Sequence, residues 1–171
     1  MLWDNELLHS LNGLTSVNYY GSHISLINCG KIGDLQGLLG LIRVRGDFTI
    51  VSNPELDSLK GLKSLERIDG NFVIRGNPDL NILGRVEADI QYGPYQLEQI
   101  DGDLIIEDND VLRSLSGLNG LQRILQDFII EDNQVLTNLS HLIGLLEVAG
   151  GIYIRNNTDL INLSGFDQLK D

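Results

Sequence analysis

Residues 46–69 have the sequence GDFTIVSNPELDSLKGLKSLERID, and the same pattern returns along the chain at intervals of 24 residues. Phe48 and Ile50 alternate with polar neighbours, which is typical of a strand with one buried face. After Asn53, an apolar residue follows at every third position, namely 56, 59, 62, 65 and 68. A stripe with this three-residue period drifts around a helix, so the pattern indicates short extended segments joined by corners.

The corner after each strand is marked by a ladder of residues with the same spacing. Its members are Asn5, Cys29, Asn53, Asn77, Asn109, Asn133 and Asn157. A side-chain amide at such a corner can satisfy backbone groups of its own turn and of the adjacent coil. The pattern predicts a mainly β fold, a right-handed parallel β-helix or solenoid of about seven 24-residue leucine-rich coils, stacked at about 4.8 Å.

We expect a single solenoid domain over residues 1–171. Both termini fall in mid-coil, which predicts that the chain is a fragment of a longer array or is covered at its ends by another chain. A glycine precedes the strand in four coils, where we expect a turn with positive φ. These glycines are Gly46, Gly70, Gly102 and Gly150.

The repeat is interrupted once, because the spacing from Asn77 to Asn109 is 32 residues. Alignment from both sides places eight extra residues at 87–94, with the sequence EADIQYGP. Insertions in repeat arrays usually form loops on one surface, and such loops often carry function. Tyr92 and Tyr95 flank a turn-like Gly-Pro pair and are candidate contact residues, the alternative being a tolerated surface loop.

Composition narrows the classes of function. The formal net charge of −12 argues against nucleic acid and anionic membranes as partners. No stretch is long and apolar enough to span a bilayer, and residues 1–5 already fit a repeat strand, so we expect neither direct membrane insertion nor a signal peptide in this chain. The single cysteine, Cys29, excludes an intramolecular disulfide and is predicted to be a small buried thiol.

No catalytic, cofactor or metal site is predicted from motifs. The three histidines, His9, His23 and His141, are widely separated in the repeat and lack metal-ligand spacing. The chain has no nucleophile elbow, P-loop or dinucleotide-binding glycine cluster. We therefore predict that the protein is not an enzyme and carries no cofactor.

The repeat unit G-D-[FL]-x-I-x-x-N-x-x-L-x-x-L-x-G-L-x-x-L-x-x-I resembles the receptor L domain of insulin and epidermal growth factor receptors. It is at least as similar to the L-domain repeats of fungal GPI-anchored cell-wall proteins and of bacterial and protist surface proteins. The similarity includes Gly46-Asp47, Gly102-Asp103 and the ladder. Receptor L domains are typically closed by disulfides, so the single cysteine favours the microbial relatives. The resemblance implies an extracellular or cell-surface location and non-enzymatic recognition.

The outward positions of the main sheet contain an apolar strip. If the strands stack in register, its members form one column, Val73, Ile105, Ile129 and Tyr153. An exposed strip of this kind is a candidate interface for a protein or carbohydrate partner, with Tyr92 and Tyr95 as further candidates. The alternative is that β-branched residues simply favour sheets.

Carboxylates stack beside this strip. We expect Asp103 near Asp127, Glu107 near Glu131 and Asp108 near Asp132. Three interpretations remain open: solvated acids, weak calcium binding, and a polysaccharide-active parallel β-helix enzyme. Because every parallel ladder produces this spacing, we expect neither catalysis nor a metal site.

The predicted function is a non-enzymatic recognition or structural module at a cell surface. One alternative is the carbohydrate-active enzyme, and another is a subunit that associates end to end through uncapped β edges.

Overall fold

A computed structural model describes residues 1–87 and 90–170, with side chains described outside 85–92. The chain is a mainly β solenoid of about six turns, which confirms the predicted fold class. The count is lower than the predicted seven because the seven strands of the main sheet enclose six complete turns. These strands pair in parallel in the order Leu2–Trp3 (β1), Ile24–Ile27 (β3), Phe48–Val51 (β5), Phe72–Arg75 (β7), Leu104–Glu107 (β11), Phe128–Glu131 (β13) and Ile152–Arg155 (β15).

A second parallel sheet forms another side of the solenoid from two-residue strands. In chain order they are Tyr19–Tyr20 (β2), Arg43–Val44 (β4), Arg67–Ile68 (β6), Gln99–Ile100 (β10), Arg123–Ile124 (β12) and Glu147–Val148 (β14). The side between the ladder and this sheet is formed by the leucine-rich turns. Three coils contain a short 3-10 helix there, at Asn12–Leu14, Gln36–Leu38 and Ser140–Leu142.

The core is a set of apolar columns that run along the solenoid axis. Phe48 and Ile50 are fully buried, as are Phe72 and Ile74 in the next coil, which confirms the predicted phase of the strands. The Phe48 and Phe72 rings stack with their centroids 5.4 Å apart. Each fully buried large apolar side chain contributes roughly 1.5–3 kcal/mol, but only when the neighbouring coils cover it.

The insertion forms an antiparallel hairpin, with strands Arg85–Glu87 (β8) and Ile90–Tyr92 (β9). The repeat resumes at Gly93, whose φ of +104° matches +119° at Gly61 and +111° at Gly117. Pro94 is buried at the position that Leu62 occupies in the preceding coil. The eight extra residues are therefore 85–92, two positions earlier than predicted, because Gly93 and Pro94 belong to the repeat.

The prediction of positive φ at Gly46, Gly70, Gly102 and Gly150 is wrong, since the left-handed conformation occurs instead just before each ladder residue. The residues concerned are Asp4, Asn28, Ser52, Gly76, Asp108, Asp132 and Asn156, with φ between 51° and 61°. Asn and Asp tolerate this region better than most residues. The glycines before the strands serve close packing, because a Cβ at Gly70 would lie 2.4 Å from Asp47 Oδ1.

Candidate functional site

The asparagine ladder is a continuous chain of buried hydrogen bonds. The Asn77 side chain accepts the backbone N–H of Asn53 at 3.0 Å, and Asn109 accepts that of Asn77 at 3.1 Å. The Asn109 amide also donates to the carbonyl oxygens of Ile74 at 3.1 Å and Glu107 at 2.9 Å. Each buried asparagine therefore joins its own corner to both neighbouring coils.

The ladder weakens at its first two positions. Asn5 is exposed, and its side chain donates to the carbonyl oxygen of Trp3 at 2.8 Å. Cys29 is fully buried, with Sγ 3.6 Å from the carbonyl oxygens of Leu2 and Ile27. Burial raises the pKa of the Cys29 thiol, which keeps it protonated. This geometry fits the predicted small buried thiol.

A second ladder lies at the start of the main strands, and the sequence analysis missed it. The side chains of Asp47, Asn71, Asp103 and Asp127 each accept the backbone N–H of the equivalent residue in the next coil, at 2.7–2.9 Å. His23 Nδ1 accepts the N–H of Asp47 at 2.9 Å in the same way. The available signal was an Asp or Asn four residues after the first residue of a second-sheet strand, which recurs in four of the six coils.

The glutamates of the carboxylate columns already contact arginines of the same protein. Glu107 and Glu131 pair in register, as expected, and Arg75 and Arg155 lie on either side of them. Arg75 contacts Glu107 at 2.5 Å, and Arg155 lies 3.7 Å from Glu131. In the described part of the chain, no group of three or more histidine, cysteine or acidic residues could hold a metal ion.

The surroundings of Asp108 oppose the ionisation of its carboxyl group. Desolvation raises the pKa of Asp108, and the negative charges of Glu107 and Asp132 raise it further. Asp108 also has a φ of 55°. Its backbone conformation and its charged surroundings therefore both favour a neutral amide at this position.

The apolar strip faces outward, as predicted. Val73, Ile105 and Ile129 are half-buried in one column of the main sheet, and Tyr153 is 38% exposed. Ile105, Ile129 and Tyr153 line a shallow depression of about 380 Å³ together with Arg75, Glu107, Asp127, Glu131 and Arg155. The Arg155 guanidinium lies over the Tyr153 ring, 5.2 Å from its centroid. The strip is thus an apolar line between two columns of charged side chains.

Tyr95, which follows the insertion, does not extend this strip. Tyr95 is half-buried, and its hydroxyl group lies 2.7 Å from Ser116 Oγ on the leucine-rich side. The side chain of Tyr92 lies outside the described residues. The hairpin follows Leu83 and Gly84 on the leucine-rich side of the solenoid, whereas the strip belongs to the main sheet.

One serine and histidine pair occurs on the leucine-rich side. Ser114 Oγ lies 3.2 Å from His141 Nδ1 and accepts the backbone N–H of Ser116 at 3.1 Å. Burial lowers the pKa of His141, which favours the neutral imidazole. Among the residues that the structure describes, no carboxylate pairs with His141, so the orienting third member of a catalytic triad is not found.

Comparisons with family models, with curated proteins and with solved structures found no match. The similarity to L-domain repeats therefore rests on the repeat unit and the ladder alone. Within the described ranges, the chain has no helix of the length and apolar character needed to cross a membrane.

Proposed function

We propose that this chain is a non-enzymatic recognition or structural module at a cell surface, which binds a partner through the outer face of its main sheet. The observation that carries the proposal is the strip formed by Val73, Ile105, Ile129 and Tyr153. These side chains lie in one column on a broad parallel sheet and remain partly open to solvent. A contiguous apolar patch with a charged border is typical of an interaction surface.

The sheet itself does not require apolar residues in this column. The equivalent outward positions of the two earlier coils are Ser25 and Thr49, and both coils pair in the same regular register. Because the fold accepts small polar residues here, the register of the sheet does not require the run of four apolar side chains at these positions. A binding role explains both their size and their position.

The second sheet offers a less suitable surface. Its outward arginines are already paired, since Arg43 contacts Asp69 at 2.8 Å and Arg67 contacts Asp101 at 2.6 Å. Its strands are two residues long, half the length of most strands of the main sheet. A partner would have to displace these ion pairs to reach the backbone, which makes the main sheet the better candidate.

The cell-surface location and L-domain family are supported by the leucine-rich solenoid and its asparagine corners. The polysaccharide-active alternative has no supporting observation, since Asp103 and Asp127 accept backbone hydrogen bonds and Glu107 and Glu131 contact arginines. The alternative of end-to-end association has one supporting observation. An apolar depression of about 170 Å³ lies at the first coil and is lined by residues that include Leu11, Leu14 and Val17. Sedimentation over a range of concentrations measures that association directly.

The proposal can be tested by selecting binders from an unbiased peptide library displayed on phage. We expect most selected peptides to lose binding to the variant Ile105→Thr, Ile129→Thr and Tyr153→Thr, because threonine already occupies this column at Thr49. The matched control is Tyr19→Thr, which removes an aromatic residue that is 63% exposed on the second sheet. Melting curves check that both proteins fold. Selected peptides that bind the triple variant as well as the parent would contradict the proposal.

A further inference from the structure

The border of the strip indicates the chemistry of its partner. We propose that the main sheet recognises a polypeptide segment in which lysine or arginine residues accompany apolar side chains. This inference rests on the proposed function and adds to it the class of partner. Three features support it: the charges beside the strip, two carboxylates without an ion-pair partner among the described residues, and the packing of Tyr153.

The face that holds the strip is acidic. Its outward positions include five carboxylates and two arginines, which gives a local net charge of −3. The carboxylates are Asp47, Asp103, Asp127, Glu107 and Glu131, and the arginines are Arg75 and Arg155. The whole chain has a net charge of −12, so the long-range field also attracts a cationic partner.

Asp103 and Asp127 are the carboxylates best placed to bind that partner. Each lies on the same face of its strand as the strip residue two positions later, Ile105 or Ile129. Both are half-buried, and neither forms an ion pair with any residue that the structure describes. In each, Oδ1 accepts a backbone N–H, at 2.9 Å for Asp103 and 2.7 Å for Asp127. That bond holds the carboxylate in place and leaves Oδ2 free to accept from an ammonium or guanidinium group.

The packing of Tyr153 favours a polypeptide over a carbohydrate. A sugar ring that stacks on a protein needs an open aromatic face, and Tyr153 is the only aromatic residue of the strip. Its ring already has the Arg155 guanidinium over it, and it packs so closely on Gly151 that a Cβ there would lie 2.6 Å from the ring. Tyr153 can still make edge contacts with apolar side chains, as protein partners do.

The test uses a pair of substitutions for which the chain offers a native precedent. Asn71 occupies the same ladder and accepts the N–H of Asp103 through its amide oxygen at 2.8 Å. The variant Asp103→Asn and Asp127→Asn therefore removes two charges and keeps the backbone hydrogen bonds. The control variant, Asp57→Asn and Asp79→Asn, makes the same change in net charge on the leucine-rich side. Both are compared with the parent protein by titration calorimetry.

The probes are three synthetic 12-residue peptides, in which lysine alternates with leucine, lysine with serine, or glutamate with leucine. We expect the lysine and leucine peptide to bind the parent and the control variant equally, and the Asp103→Asn, Asp127→Asn protein at least tenfold more weakly. The lysine and serine peptide should bind more weakly than the lysine and leucine peptide, and the glutamate peptide should not bind. Raising the salt concentration should weaken binding to the parent.

Three outcomes would overturn the inference without rejecting the proposed interface. Equal weakening by the control variant would show a general attraction to an acidic protein. Binding that survives Asp103→Asn and Asp127→Asn, but is lost in the triple threonine variant of the strip, would leave the proposed interface in place and remove its preference for cations. Peptide binding that neither variant changes would reject both the inference and the interface. Equal binding of the glutamate peptide would also reject the inference.

Discussion

Replacing Asn109 by leucine tests whether the ladder stabilises the solenoid through hydrogen bonds rather than by filling space. Asn109 is fully buried, and its side chain is the acceptor for the Asn77 N–H. Leucine has a similar size but cannot accept that bond, so a buried N–H is left unpaired at a cost of about 1–3 kcal/mol.

The amide of Asn109 also donates to two carbonyl oxygens, and their loss matters less. The Glu107 oxygen still accepts the Gly76 N–H at 3.0 Å after the substitution. The substitution removes one of two donors from the Glu107 oxygen and one donor from the Ile74 oxygen, and the apolar surface of leucine offsets part of that cost. We expect a net loss of about 1–3 kcal/mol, which lowers Tm by roughly 2–12 °C in a protein of this size.

Thermal and urea unfolding measure the effect, and Asn5→Leu provides the matched control. Asn5 occupies the same repeat position but is exposed, with a single side-chain hydrogen bond to the Trp3 oxygen. Its replacement should cost less than about 1 kcal/mol. If Asn109→Leu and Asn5→Leu have equal effects, or if Asn109→Leu raises Tm, the hydrogen-bond account of the ladder is incorrect.

Two further substitutions test how the repeat uses its special positions. We expect Cys29→Asn to stabilise the protein by about 1 kcal/mol in urea unfolding. An amide can donate to the Leu2 and Ile27 carbonyl oxygens, which the thiol sulfur approaches only to 3.6 Å. A loss of stability greater than that caused by Cys29→Ala would refute this expectation. Asp108→Asn should raise Tm at pH 7. The folded protein raises the pKa of Asp108, so ionisation of Asp108 destabilises the fold as pH rises through that pKa. The part of the gain that charge causes should disappear well below the ordinary pKa of 3.8, while any part that the backbone conformation causes should remain. A gain of equal size at pH 7 and in acid would refute the contribution of charge.

The fold could be predicted from the sequence because its constraints repeat. Each core column contains the same kind of residue in nearly every coil, so the inward phase of Phe48 and Ile50 is fixed by agreement among many coils. The asparagine corner is equally visible, since asparagine follows six of the seven strands of the main sheet at the same repeat position. The exact place of the insertion was less visible, because Pro94 does not resemble the leucines whose buried position it takes.

The second ladder was missed because its residues look like ordinary surface acids. Asp103 and Asp127 lie at the start of strands on the outer face, where carboxylates are common in an acidic protein. Only the folded structure shows that each aspartate accepts an N–H from the following coil. The register of the repeat already placed Arg75, Glu107, Glu131 and Arg155 in one outward column, but the sequence analysis considered only the repulsion between the carboxylates and not their pairing with these arginines. The positive φ was predicted at the glycines before the strands, which are there because a side chain would not fit. Glycine occurs both where φ is positive and where packing is close, so the sequence alone did not distinguish the two causes.

The two ladders act in opposite directions along the solenoid. In the asparagine ladder, each backbone N–H donates to the side chain of the following coil, as Asn77 does to Asn109. In the second ladder, each side chain accepts from the backbone of the following coil, as Asp103 does from Asp127. Coils with members of both ladders are therefore joined to their neighbours at both ends of the main strand, and the hydrogen bonds of the two ladders do not involve the side chains of the central outward column. Ser25 and Thr49 occupy the same column in earlier coils, so we expect its residues to change without loss of the fold, which is why the proposed interface rests on its four apolar side chains.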